Sequence, residues 1–248
     1  MDVDIKARML ALAGDRLREV GLTYEYVGAA EAAQARLDGL PKGVSALPHD
    51  ISENNFFRKK AFWVFFSDAK GNDVGVVSAR LDELGEEDVM DYWRRTILNK
   101  MPGAGGGAPP VGISGTQIHL GALHFLKPWR EPRGHVRASI FIAYMLGALN
   151  WPDAEGIYGF VSEKYMMSGS THEYVFSKHL YVPDALPGAV RLSIVASTIK
   201  DLEYHCRLFL KQPELFNAYK DFLKEAPQKS KQPDDLHMIP GGLLAGSA

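Results

Sequence analysis

Between His124 and Arg137 the sequence reads HFLKPWREPRGHVR, and here residue types and spacing point most directly to chemistry. Arg130 and Arg133 supply guanidinium forks. Gly134, His135 and Val136 stand where an apolar segment, Val136 to Trp151, begins to read as a buried helix. The first turn of a helix leaves N–H groups without intrahelical acceptors, and the helix dipole favours an anion there. Arginines beside such a terminus suit phosphate, which they grip bidentately. Pro132 removes one N–H from such a cradle. The apolar run before the turn, Leu120 to Leu126, carries His124. A lone strand histidine is either a hydrogen-bonded core residue or, where it faces a cleft, a group that holds substrate or takes a proton. With Lys127, Arg130, Arg133, His135 and Arg137 around it, Trp129 would also suit stacking on a nucleic-acid strand.

Other candidate constellations are weaker. His172-Glu-Tyr-Val-Phe-Ser-Lys-His179 evokes a zinc-protease helix, but its histidines are seven apart where His-Glu-x-x-His is needed, so no metal is expected. Gly112-Ile-Ser114-Gly115-Thr116 lacks the second glycine of a nucleophile elbow. Cys206 adjoins His205 on a helical segment, where neighbours do not face one another. The stretch 101–115 holds six glycines and three prolines and reads as a loop. It lacks the Gly-Lys-Ser/Thr of a Walker motif, and a mobile active-site lid is its sharper alternative.

The elements that must position these residues belong to an ordinary globular chain. Of 248 residues 46% are hydrophobic and 23% charged, with a formal net charge of −2. That balance argues against bulk attraction to nucleic acid or anionic lipid. One cysteine excludes an intrachain disulfide and fits a reducing compartment. The start of the chain has mixed charge and no leader pattern, and the longest apolar stretch is too short for a bilayer, so cytoplasm is the expected location.

Periodicity predicts a helix over 4–20, a strand over 22–27 and a helix over 29–40. A hairpin follows, with strands at 61–66 and 74–81 around a Ser67–Asp73 turn. Beyond it come a helix over 86–100, a strand over 117–126, a helix over 136–151 and a strand over 156–161. A helix over 170–179 rests on a capping-box pattern at Ser170 and Glu173. A strand over 189–197 and a helix over 201–224, interrupted at Pro213, end the ordered part. Residues 1–226 are expected to form one domain with an N-terminal helical extension, and 227–248 a disordered tail. The fold class is α+β, or mixed α/β: a mixed sheet with an antiparallel hairpin and a parallel strand pair, flanked by helices.

This order of elements, with Pro128 and Gly134 at the separation of a Pro-preceded Gln/Arg-x-x-Gly-x-Gly/Ala turn, resembles the GNAT acyltransferase superfamily over residues 20–200. Glu131 and Val136 depart from the turn pattern, and Gly134 matches it. The resemblance implies a parallel pair that splays apart and an acyl-CoA, or another acyl-thioester, as co-substrate. Its phosphates would lie on Arg130, Arg133, Gly134, His135 and Val136, and a strand N–H near Leu123–Leu126 would polarise the thioester carbonyl. It implies Glu163 as base, with Tyr165 or Tyr174 as acid and His124 as a further candidate base. The acceptor would be an amine of a small molecule or peptide, with no nucleic acid, membrane or metal involved. The alternative is a non-catalytic binding or interaction protein on the same scaffold.

Overall fold

A computed structural model describes residues 1–40, 51, 60–96, 110–129, 135–163, 166, 174–182 and 192–216. The centre of its sheet follows from apolar alternation. In β2 (Ala61–Ser67) Phe62, Val64 and Phe66 enter one hydrophobic cluster, while Ala61, Trp63 and Phe65 enter another. Successive strand side chains point to opposite faces, so an unbroken apolar run means that both faces are covered. The partner strand β3 (Asp73–Gly85) returns antiparallel through a tight turn. There the Asp68 carboxylate accepts the N–H groups of Lys70 and Asn72, and Gly71 takes the left-handed φ of 81°.

Among the described residues seven strands form one sheet in the order β1-β2-β3-β4-β5-β7-β6, with β1 (Thr23–Val27), β4 (Gly115–Phe125), β5 (Gly156–Ser162), β6 (Lys178–Val182) and β7 (Leu192–Thr198). Every pair is antiparallel except β4 with β5. The helices are α1 (Val3–Glu19), α2 (Ala30–Leu37), α3 (Val89–Thr96), α4 (His135–Asn150) and α5 (Ile199–Lys211). Residues of α1, α4 and α5 share a core with Phe62, Val77, Ala79, Ile118 and Ile157. The opposite face is covered by α2 around Trp63 and Phe65 and by α3 around Tyr158 and Ile194. The hairpin, the parallel pair joined through α4 and the mixed sheet agree with the sequence reading.

The helix expected over 170–179 is a correction. Ser170 and Glu173 lie outside the described residues, Val175 turns with φ 50°, and Lys178–Val182 is the edge strand β6, paired with Leu192–Ala196. His179 is therefore on a strand, its Nε2 3.1 Å from the Phe176 carbonyl. The capping box belongs instead to α5, where Thr198 and Asp201 satisfy each other's backbone N–H. That helix stops at Gln212, just before Pro213. No described helix is long and apolar enough to cross a membrane.

α4 is buried almost all round, because α1 lies on one side of it and the sheet on the other. Its last carbonyls need donors, and one comes from an unexpected source. Lys6 of α1 is only 5% exposed, and its ammonium donates to the Ala148 carbonyl at 3.1 Å. A cation at a helix C-terminus also complements the dipole. Lys6→Met keeps the stem packing and removes the donor. It is expected to destabilise the protein by about 1–3 kcal/mol, the cost of stranding a buried acceptor, read as a lower urea midpoint with unchanged slope.

Candidate functional site

The site is built on the one parallel pair among the described strands. β4 and β5 are hydrogen-bonded neighbours only from Gln117–Gly156 to Leu120–Gly159. Past that row β4 runs on to Phe125, while β5 continues to Ser162 beside β7. Both strands end at the same edge of the sheet, and there they part.

A bulge on β4 stands where the parting begins. Val76 faces His124 and Ser78 faces Gly121, so Ala122 and Leu123 together oppose Val77. Ala122 has φ 49°, a strained value for a residue with a Cβ. The buried Ser78 hydroxyl donates to the Gly121 carbonyl at 3.1 Å and so satisfies a group the bulge turns out of the ladder.

The end of β4 is seated by a glycine. A Cβ on Gly75 would lie 2.4 Å from Phe125 Cδ1 and 2.9 Å from the His124 carbonyl, so the Phe125 ring occupies the space a side chain would need. That ring meets His135 edge-on at 4.6 Å and Phe66 at 5.2 Å. Phe125 thus docks the first residue of α4 against the sheet. As described, α4 starts at His135, beyond the carboxyl end of β4, and no acidic residue stands in its first turn. The terminus is chemically suited to an anion.

The residues expected to act are distributed as follows. His124 is half-buried and, opposite Val76, projects from the face covered by α2 and α3. Glu163 follows Ser162 at the carboxyl end of β5 and is half-buried. Parallel strands bring these two to the same edge. Tyr174 lies on the other side of the sheet: its carbonyl accepts the Tyr144 hydroxyl of α4 at 2.7 Å, and its ring meets Phe176. Tyr165, Arg130, Arg133 and Gly134 lie outside the described residues.

Three expectations change in detail. The Leu126 N–H donates to the Val74 carbonyl of β3, so it is turned away from β5. The His135 imidazole is fully buried against the Phe125 ring, so it does not reach the surface. Arg137, counted with the basic turn, is 8% exposed and donates to the carbonyls of Leu215 and Phe216, each at 3.1 Å, clamping the segment after α5.

Beneath the parting lies a polar cluster that the sequence reading missed. Arg80 and Asp82 of β3 share one face of the strand and form a buried ion pair at 2.9 Å. Asp82 also accepts the hydroxyl of Tyr158 on β5 and, at 3.2 Å, that of Tyr92 on α3. Trp93 of α3 donates its indole N–H to the Tyr158 oxygen at 2.8 Å. His119 of β4 stacks on Tyr158 at 4.7 Å and meets Trp93 edge-on at 5.0 Å. Burial pushes the Asp82 carboxyl up, while Arg80 and the two phenols pull it down. Burial and the Asp82 charge push Tyr158 well up, and Tyr92 up to about 12, so both phenols stay protonated. In sequence the signal is only Ser78-Ala-Arg80-Leu-Asp82, an alternation that reads as a solvated strand face.

No group of His, Cys, Asp and Glu suited to a metal ion occurs among the described residues. No family model matches the sequence, and no curated protein matches it. The described strand order, the parallel pair and the helix between its members are the arrangement expected from the sequence. The chain is similar in structure to Arabidopsis thaliana NAA60, crystallised with acetyl-CoA, at 12% identity over 72% of this chain and 99% of that one, with a TM-score of 0.46. It is similar to FeeM, an N-acyl amino acid synthase from uncultured soil microbes, at 13% identity over 72% and 91%, with a TM-score of 0.43. It is also similar to the Vibrio cholerae spermidine/spermine N-acetyltransferase SpeG, at 14% identity over 76% and 97%, with a TM-score of 0.43.

Two outcomes follow from the geometry. Gly75→Ala must displace Phe125, so it is expected to cost about 1–3 kcal/mol, read as a lower unfolding midpoint. Cys206 is fully buried, and burial, with Glu203 adding, pushes its thiol from 9.0 up to about 12. The folded chain should therefore resist iodoacetamide at neutral pH and react once unfolded. Because the unfolded thiol ionises first, this residue contributes a stability loss as pH rises from 9.0 toward about 12.

Proposed function

We propose that the chain is an acyltransferase that moves an acyl group from acyl-CoA, or another acyl-thioester, to an amine of a small molecule or peptide. One observation carries the reading: β4 parts from β5 beyond Leu120–Gly159, and the same edge of the sheet leads into the N-terminus of α4. An extended thioester arm can lie along the vacated side of β4 as a strand would. Its phosphates then fall to the start of α4 at His135 and Val136, with Arg130, Arg133 and Gly134 of the preceding segment.

In this reading the acceptor amine loses a proton to Glu163, or to His124, as its lone pair attacks the thioester carbon. The carbon–sulfur bond then breaks, and the departing sulfur takes a proton from Tyr165 or Tyr174. Backbone N–H groups on the β5-facing side of β4 polarise the carbonyl. His124 and Glu163 flank the parting at one edge, which supports them over Tyr174, whose backbone is docked on Tyr144. The acyl-thioester supplies the activated carbonyl. Everything else asked of the chain is binding, orientation and proton transfer.

Calorimetric titration with CoA, acetyl-CoA and longer acyl-CoAs tests this. Binding is expected, with Arg133→Ala weakening it at least about tenfold, the loss expected for a hydrogen bond between charged groups. No affinity for any of these compounds, or an Arg133→Ala variant that binds as tightly as the parent, would sink the reading. Tight binding with no transfer to any offered amine would favour a non-catalytic binding protein.

A further inference from the structure

The cluster under the parting does more than fill space. Asp82 is on β3 and Tyr158 on β5, the two strands that flank β4, so their hydrogen bond crosses one face of β4. Tyr158 belongs to the His119–Tyr158 row, immediately before the last paired row, Leu120–Gly159. The link therefore fixes how close β5 lies to β3 and β4 just before β5 departs. Gly159 brings no side chain to that last row, and a Cβ there would sit 3.1 Å from the Leu120 carbonyl.

The next side chain on the same face is Phe160, opposite Ile194 of β7. It is half-buried, and it is the first side chain on this face of β5 beyond the paired rows. Its ring lies 4.1 Å from that of Trp93 and 6.0 Å from that of His119. Trp93 is held in turn by its hydrogen bond to Tyr158. A chain of named contacts thus runs from Asp82 through Tyr158 and Trp93 to Phe160.

We propose that Phe160 is the wall that limits the acyl group at the closed end of the slot, and that Tyr158 and Asp82 are positioning residues that hold it there. The inference rests on the acyl-thioester reading. In that reading the reacting carbonyl lies where the strands part, so the acyl chain beyond it meets the first side chain on this face of β5. Phe160 is rigid, with two torsions, and is clamped by Trp93, so it sets a fixed length. CoA itself, which in that reading is held at the start of α4, does not touch the wall.

The test compares affinities for CoA, acetyl-CoA and octanoyl-CoA in wild type, Phe160→Ala, Phe160→Leu, Tyr158→Phe and Tyr92→Phe. Phe160→Ala is expected to improve octanoyl-CoA relative to acetyl-CoA by about tenfold or more, with affinity for CoA unchanged. Phe160→Leu should shift the ratio in the same direction by less, and it guards against a misfolded alanine variant. Tyr158→Phe keeps the stack on His119, loses the links to both Asp82 and the Trp93 indole, and should shift the ratio as Phe160→Leu does. Tyr92→Phe also removes a hydrogen bond to Asp82 but leaves β3 tied to β5. It should lower stability without moving the ratio, which separates positioning from general support of the fold. If CoA binds wild type and the Phe160 variants leave the ratio unchanged, the wall is overturned while the acyltransferase reading stands. Failure of wild type to bind CoA or either thioester overturns both.

Discussion

The structure depends on a sheet that must be continuous at one edge and parted at the other. Any strand that loses a neighbour exposes a row of backbone donors and acceptors, which cost free energy unless something takes them up. β4 is fully paired through Leu120 and then keeps only β3. The surroundings of that transition are specialised accordingly. A bulge with a strained alanine re-aims the strand, Ser78 takes the displaced carbonyl, and Gly75 leaves room for the ring that anchors the end. All three stand on or opposite the stretch of β4 beyond its last row with β5, where the two strands part.

α4 links this gap to the rest of the molecule. It connects the two strands that part, so its placement and theirs are one constraint. Phe125 and His135 fix its beginning to the sheet, and Arg137 ties its first turn to the segment after α5. Lys6 fixes its end by reaching across from α1. The buried ammonium at the carboxyl end and an anion at the amino end are favoured by the same dipole.

Much of this scaffold was legible in the sequence, and the reasons are local. The run Ala61 to Phe66 alternates between two cores, so it could only be a doubly covered strand. Val136 to Trp151 is too apolar for a surface helix. β6 was not legible, because Lys178 to Val182 is short, and the capping-box pattern upstream suggested a helix. Of the candidate residues, positions along the sheet were legible and side-chain contacts were not. His124 and Glu163 do come to one edge of the sheet, because parallel strands bring their carboxyl ends together. Arg137 looked like part of the basic turn, yet one residue more or less along a helix start decides between solvent and core. The Arg80–Asp82 pair was hidden for a different reason. Charged alternation on a strand reads as solvent-facing unless something shows what covers it, and α3, the cover, comes later in the chain.

The buried pair also bears on why this face of the sheet is polar at all. Taking an arginine and an aspartate out of water costs several kcal/mol each, and apolar residues of the same volume are often at least as stabilising. A cluster kept for stability alone would gain little from its charges. Direction is what apolar packing lacks: a phenol pointing from β5 to a carboxylate on β3 defines one spacing, where two leucines would tolerate many. The cluster occupies the rows beside the last paired one, where a small change in spacing would be amplified along the diverging strands. Its position, more than its energy, is the reason to connect it with the gap.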